Sequence, residues 1–152
     1  MQPQSMSRKS RPLVDLRAGC ACGAVSVRLA GTVWSMFMCA CEDCQKATGT
    51  GHSAVAIAAP ADVSISGETR AFARIANSGA TLTRHFCPTC GTPIWAQSSR
   101  APEGLMLPVG LFGGETTWFA PSQVIFGRSH RDWDLLAADI PRYRTYRDEE
   151  PT

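Results

Sequence analysis

The sequence predicts an all-β fold, and three observations carry that prediction. Short apolar runs, many rich in β-branched or aromatic residues, recur along the chain and are separated by Gly, Pro, Asn and Ser. Thirteen glycines and 10 prolines in 152 residues supply the turns such strands need. No segment holds a long 3.6-residue apolar period, and no internal repeat is visible.

The elements follow in order. Leu13–Arg17 reads as a strand entering a first cysteine pair, Cys20 and Cys22. Ala24, Val25, Val27 and Leu29 form the strand leaving it, ended by Gly31, so the two make a hairpin. Trp34–Met38 is apolar and runs into CACEDC at 39–44. Gln45–Thr48 suits one helical turn stopped by Gly49 and Gly51. Ser53–Ala59 is a strand halted by Pro60. Val63–Ser66, Ala71–Ile75, Thr81–Phe86, Ile94–Gln97, Leu105–Leu111 and Val124–Gly127 are further strands. Asp132–Ala138 suits a short helical turn, limited by Pro141. One domain over residues 13–147 follows, between tails at 1–12 and 148–152.

A net charge of +2 gives no broad electrostatic footprint, so no nucleic-acid partner is expected. Arg8, Lys9 and Arg11 sit in a polar N-terminal stretch and read as a solvated end. Met1–Arg11 holds no apolar signal, and the longest apolar-rich piece, Ala54–Ala61, is too short for a bilayer. A cytoplasmic protein with reduced thiols is expected. Seven cysteines are an odd number and fall into three tight clusters, which favours metal over disulfides.

Local turn chemistry sorts the cysteines. Cys22 and Cys90 are each followed by glycine, which adopts without strain the positive φ that a metal knuckle needs. CPTCG at 87–91 is one knuckle, and CACG at 20–23 is a shorter version. Cys20, Cys22, Cys87 and Cys90 therefore make a closed, structural zinc site. Cys39, Cys41 and Cys44 remain, and three protein ligands with one exchangeable position are the pattern of a catalytic zinc. Zn²⁺ with three thiolates is electron-rich and activates water poorly, but it suits a soft thiol partner. Chemistry on a thiol is thus expected ahead of hydrolysis. Glu42, Asp43 or His52 could instead close the second site, which would leave a binding module. His85 is expected to pack rather than ligate, and His130 to be exposed. Cys87 and Cys90 do not open a helix, which argues against a thiol–disulfide reductase.

The motifs GCACGAV (19–25), CACEDCQKATG (39–49) and RHFCPTCGTPIW (84–95) resemble the glutathione-dependent formaldehyde-activating enzyme family, which also includes centromere protein V. A weaker match runs from Pro121 through Trp133 to about Tyr143. The resemblance implies a β-tent fold of small antiparallel sheets joined by zinc knuckles. It also implies two zinc ions per chain, one Cys₄ and one Cys₃ with an open position. Family members condense formaldehyde with glutathione and are classed as carbon–sulfur lyases for the reverse direction. Here Ala40 replaces a usual histidine, His52 stands where an aromatic is common, and Gly113 and Gly114 replace acidic residues. Lys46, Arg74 and Arg84 are the cations available for the carboxylates of glutathione. The expectation is a zinc-dependent carbon–sulfur lyase acting on a glutathione-like thiol and a small aldehyde, with Lys46 and His52 at the substrate. A non-catalytic zinc-stabilised binding module is the alternative.

Overall fold

A computed structural model describes residues 10–146. Residues 1–9 and 147–152, which hold most of the two expected tails, lie outside the described residues. The described residues are mostly antiparallel sheet with one short α-helix. β1 (Leu13–Gly19) and β2 (Ser26–Cys39) pair antiparallel from Leu13↔Thr32 to Gly19↔Ser26, enclosing the first cysteine turn.

β2 does not end at Gly31 as expected; it continues to Cys39. A Cβ on Gly31 would lie 2.2 Å from an Asp62 carboxylate oxygen. The glycine therefore permits close approach of the 3₁₀ turn Pro60–Asp62 rather than stopping the strand. β2 then changes partners. Its first half pairs β1 on one side and β4 (Val63–Ser66) on the other. Its second half pairs β3 (Ser53–Ala58). The register slips between Val33 and Ser35, a bulge that bends the strand where the partners change.

From β2 the sheet runs β3, β8 (Leu105–Pro108), β7 (Pro93–Ser98), β6 (Thr81–Phe86) and β5 (Arg70–Ile75). β9 (Val124–Ile125) adds parallel to the end of β2, so Cys39 lies between Ser53 and Ile125. β8 stops before the expected Leu111, because Val109–Phe112 turns into a 3₁₀ helix that buries Val109 and Phe112. Asp132–Ala138 forms turns rather than a helix, with the Asp134 N–H bonded to Arg131 O at 3.1 Å. The Asp134 side chain is engaged by two histidines, described below.

Strand alternation creates two faces. Leu29, Val33, Met36, Ala56, Ala58 and Leu107 face a core completed by Leu16, Val109 and Phe112. A second cluster joins Val25, Val27 and Ile94 to Cys20 and Cys87. The opposite side of β2 and β3 presents Phe37, Cys39 and Val55, which pack with Cys41 and Phe126. Among the described residues, no helix is long and apolar enough to cross a membrane.

Candidate metal centres

The first centre is built from two knuckles. Cys20 N–H donates to Val25 O, Gly23 N–H donates to Cys20 O, and Val25 N–H donates to Cys20 Sγ at 3.2 Å. Gly23 holds φ at 80°. The second knuckle repeats the turn: Gly91 N–H donates to Cys87 O, and Gly91 holds φ at 75°. Both glycines occupy the left-handed region that the sequence requires of them. Thr92 ties the knuckles together. Its hydroxyl accepts from Ala21 N–H at 3.1 Å and lies 3.2 Å from Cys90 Sγ. With its own N–H, that hydroxyl holds the Cys90 thiol down to about 5.

The four sulfurs fit a tetrahedral ion. Cys20 and Cys22 Sγ are 3.6 Å apart, and Cys22 and Cys87 Sγ 3.7 Å. A zinc ion with bonds of about 2.3 Å needs sulfur edges of about 3.8 Å. Cys20 and Cys87 are buried, whereas Cys22 and Cys90 face solvent.

The second cluster forms where a strand becomes a helix. Cys39 ends β2, Cys41 caps α1 (Glu42–Thr48), and Cys44 lies in its first turn. Their sulfurs lie within 4.8 Å of one another. α1 starts earlier than the expected Gln45 because Cys41 Sγ accepts from Cys44 N–H, the role usually filled by Ser or Asp. Glu42 and Asp43 then favour its first turn, and Gly49, at φ 72°, ends it. Hydrogen bonds from Cys39 and Cys44 hold the Cys41 thiol far below its ordinary range, while the same contacts push Cys39 up. Crowded sulfurs that stabilise a thiolate only by sharing protons suit a soft cation.

Around this cluster opens a cavity of about 390 Å³. Phe37, Val55, Ile57, Met106 and Ile125 give it apolar walls. Among the described residues, the buried side-chain nitrogens and oxygens without a hydrogen-bond partner are Ser53 Oγ, Arg74 Nε and Arg74 Nη1. Ser53 and Arg74 both line this cavity. Arg74 Nη1 lies 3.1 Å from Asp43 Oδ2, an ion pair out of line for a hydrogen bond.

The side chains that could close the cysteine cluster are engaged elsewhere. Asp43 pairs with Arg74, and Glu42 lies 3.6 Å from Arg131. His52 Nδ1 is 2.7 Å from Asp134 Oδ2, and His130 Nε2 is 3.1 Å from the same oxygen. Lys46 and His52, expected at the substrate, are not among the residues that line this cavity. Lys46 is exposed, being two positions past Cys44 and so on the far side of the helix. His130, expected to be exposed, is 12% exposed because it shares Asp134. His85 stacks on Trp95 at 3.7 Å, and burial lowers its pKa, so it packs as expected. Arg84 donates to the Asp43 carbonyl. Ala40 is fully buried with Met38 and Val124 and faces away from the cavity. Its replacement of histidine therefore alters the core side of the motif.

Sequence reasoning missed two organising residues. Gln45 Nε2 donates to Ala40 O and Ser129 O, both at 2.9 Å, and its Oε1 accepts from Arg131 Nε. It ties the C-terminal loop to the cysteine turn; its place directly after Cys44 was the available signal. Phe126 holds φ at 57° beside Cys41, and nothing in its local sequence announces that.

Residues 15–129 match the glutathione-dependent formaldehyde-activating enzyme family. A solved Rhodobacter sphaeroides protein is similar in fold: TM-score 0.51 and 22% identity, over 65% of this chain and 89% of that one. No curated protein matches the chain.

Proposed function

The chain belongs to the glutathione-dependent formaldehyde-activating enzyme family, and from that premise we propose that it is a zinc-dependent enzyme that makes and breaks a carbon–sulfur bond between a small thiol and a small aldehyde. Cys20, Cys22, Cys87 and Cys90 hold a structural ion, and Cys39, Cys41 and Cys44 hold a second with one position free. Zinc at the second site supplies one thing, the ionisation of an incoming thiol near neutral pH. In the forward direction a sulfur–carbon bond forms, the carbonyl π bond breaks, and the thiol proton ends on the carbonyl oxygen. The reverse direction is the lyase reaction. No redox partner is needed.

The chain's residues do the rest. Phe37, Val55, Ile57 and Met106 limit water around the reacting atoms. The Ser53 hydroxyl makes no well-aligned hydrogen bond among the described residues, and Arg74 Nη1 has only its out-of-line ion pair with Asp43. One observation carries the reading: Ser53, Arg74 and the three cysteines line one cavity. Buried polar atoms are nearly always paired, so polar side chains without aligned partners in the wall of a cavity suit a polar guest. The engagement of Glu42, Asp43 and His52 elsewhere supports an open site over a closed binding module. We also assign residues 13–147 to one domain, and a cytosolic setting suits its seven free thiols.

Titrating glutathione and simpler thiols into the cobalt-substituted protein tests this. A thiolate-to-cobalt absorption change that disappears in Cys41→Ser is expected. Silence toward every thiol would refute it.

A further inference from the structure

Arg74 comes from β5, an edge strand whose Phe72 and Ile75 stand 58% and 70% exposed. Its own side chain is only 15% exposed and reaches the cavity of Cys39, Cys41 and Cys44. A guanidinium presents a planar fork that matches the two oxygens of a carboxylate. Here the fork is poorly used. Nε has no acceptor among the described residues, and Nη1 meets a single oxygen of Asp43 out of line. Asp43 is itself 44% exposed, so the pair is half in water. Among the described residues, the charged side chains lining the cavity are Arg74 and, at an exposed rim position over Tyr146, Arg100, and none of them is a carboxylate. Asp43 stands in sequence between Cys41 and Cys44, and its partner Arg74 lines the same cavity as the three cysteines.

We propose that Arg74 anchors a carboxylate of the thiol substrate, and that Asp43 is a resident stand-in which the substrate carboxylate displaces. The inference rests on the open-site reading above. It makes the site selective for thiols with a carboxylate close to the sulfur, whether a short mercapto acid or the nearer carboxylate of a peptide thiol.

The test measures dissociation constants of 3-mercaptopropionate, glutathione and neutral 2-mercaptoethanol on the cobalt-substituted protein. Wild type binds 3-mercaptopropionate about tenfold or more tighter than 2-mercaptoethanol, as loss of a charge-assisted pair would give. Arg74→Gln abolishes that preference by weakening 3-mercaptopropionate about tenfold more than 2-mercaptoethanol. Asp43→Asn, at a half-exposed position, tightens 3-mercaptopropionate severalfold and leaves 2-mercaptoethanol unchanged. Glutathione following the mercapto acid across the variants identifies a peptide carboxylate as an alternative occupant; its following 2-mercaptoethanol restricts the anchor to short acids. A second readout needs no thiol: propionate added to the zinc-loaded protein shifts the Arg74 Nε–H resonance. Equal affinities in wild type, or a preference that survives Arg74→Gln, overturns the proposal. Should Arg74→Gln fail to fold, Asp43→Asn and the propionate titration decide it. If no thiol perturbs the cobalt spectrum, the open-site reading fails, and the Arg74 resonance still judges the anchor.

Discussion

Cys87→Ser and Cys41→Ser should have unequal consequences, and the structure sets the difference. Cys22 and Cys87 are 65 residues apart, and their sulfurs are 3.7 Å apart. Cross-linking a loop of that length removes about 4 kcal/mol of unfolded-state entropy, by the relation used for disulfides and extended here to a metal clip. Cys87 is also fully buried against Val25, Val27 and Ile94, so a hydroxyl there would enter an apolar cluster. A domain stable by about 5–15 kcal/mol loses a large share of its stability, and one at the low end unfolds. Cys41 and Cys44 are three residues apart in a turn that α1 already closes, so their metal adds little closure entropy. Serine at position 41 also keeps an oxygen for the Cys44 N–H, which preserves the helix cap. Urea denaturation followed by tryptophan fluorescence, with zinc counted per chain, checks both variants. Cys41→Ser should keep a near-native midpoint and lose one zinc. Cys87→Ser should be insoluble or unfold about 4 kcal/mol earlier. Equal losses of stability would show that the two centres do not divide structural and chemical roles.

Gly67→Ala places a Cβ 2.2 Å from the Ala24 carbonyl oxygen at φ 103°, whereas Gly79→Ala at φ 85° meets nothing within 4 Å. The first should cost about 2–4 kcal/mol and the second about 1 kcal/mol, read from paired urea curves. Ile94→Ala, at a site with no exposed surface, should cost about 2–5 kcal/mol in the same assay. Burial holds the His85 pKa below its usual value, so the folded state binds that proton less readily than the unfolded chain. Stability from this group is complete above about pH 6.5 and falls as pH drops through the folded value. His85→Phe, compared with wild type across that window, should remove this share of the slope. Gln45→Ala loses the links to Ala40 and Ser129. Backbone amide exchange around residues 126–131 should quicken while the knuckle amides stay protected.

The parts of the fold legible in the sequence are those decided within a few residues. Gly23 and Gly91 follow a knuckle cysteine, and a positive φ there is a local demand, so both turns could be read directly. The β1–β2 hairpin was legible from the two apolar runs that flank the Cys20–Cys22 turn. Gly31 was misread because its role depends on Asp62, a contact that no local pattern contains. The start of α1 was misread because a cysteine sulfur seldom serves as the cap. The pairing of His52 with Asp134 was hidden because the two are 82 residues apart. Arg74 was visible as a cation, but its buried, half-used guanidinium emerges only when β5 and α1 are brought together.

The slip in β2 between Val33 and Ser35 has one more effect. Before it, the odd-numbered Val27, Leu29 and Val33 look inward; after it, the even-numbered Met36, Met38 and Ala40 do. Parity thus inverts at the bulge, and that inversion turns Ser35, Phe37, Cys39 and Cys41 toward the cavity. Gaining or losing a single residue between the bulge and Cys39 would reverse the phase, bury the thiols and present Ala40 instead. Length in this stretch is thereby constrained, whereas the side chains at Ser35 and Phe37 can still reshape the cavity by substitution.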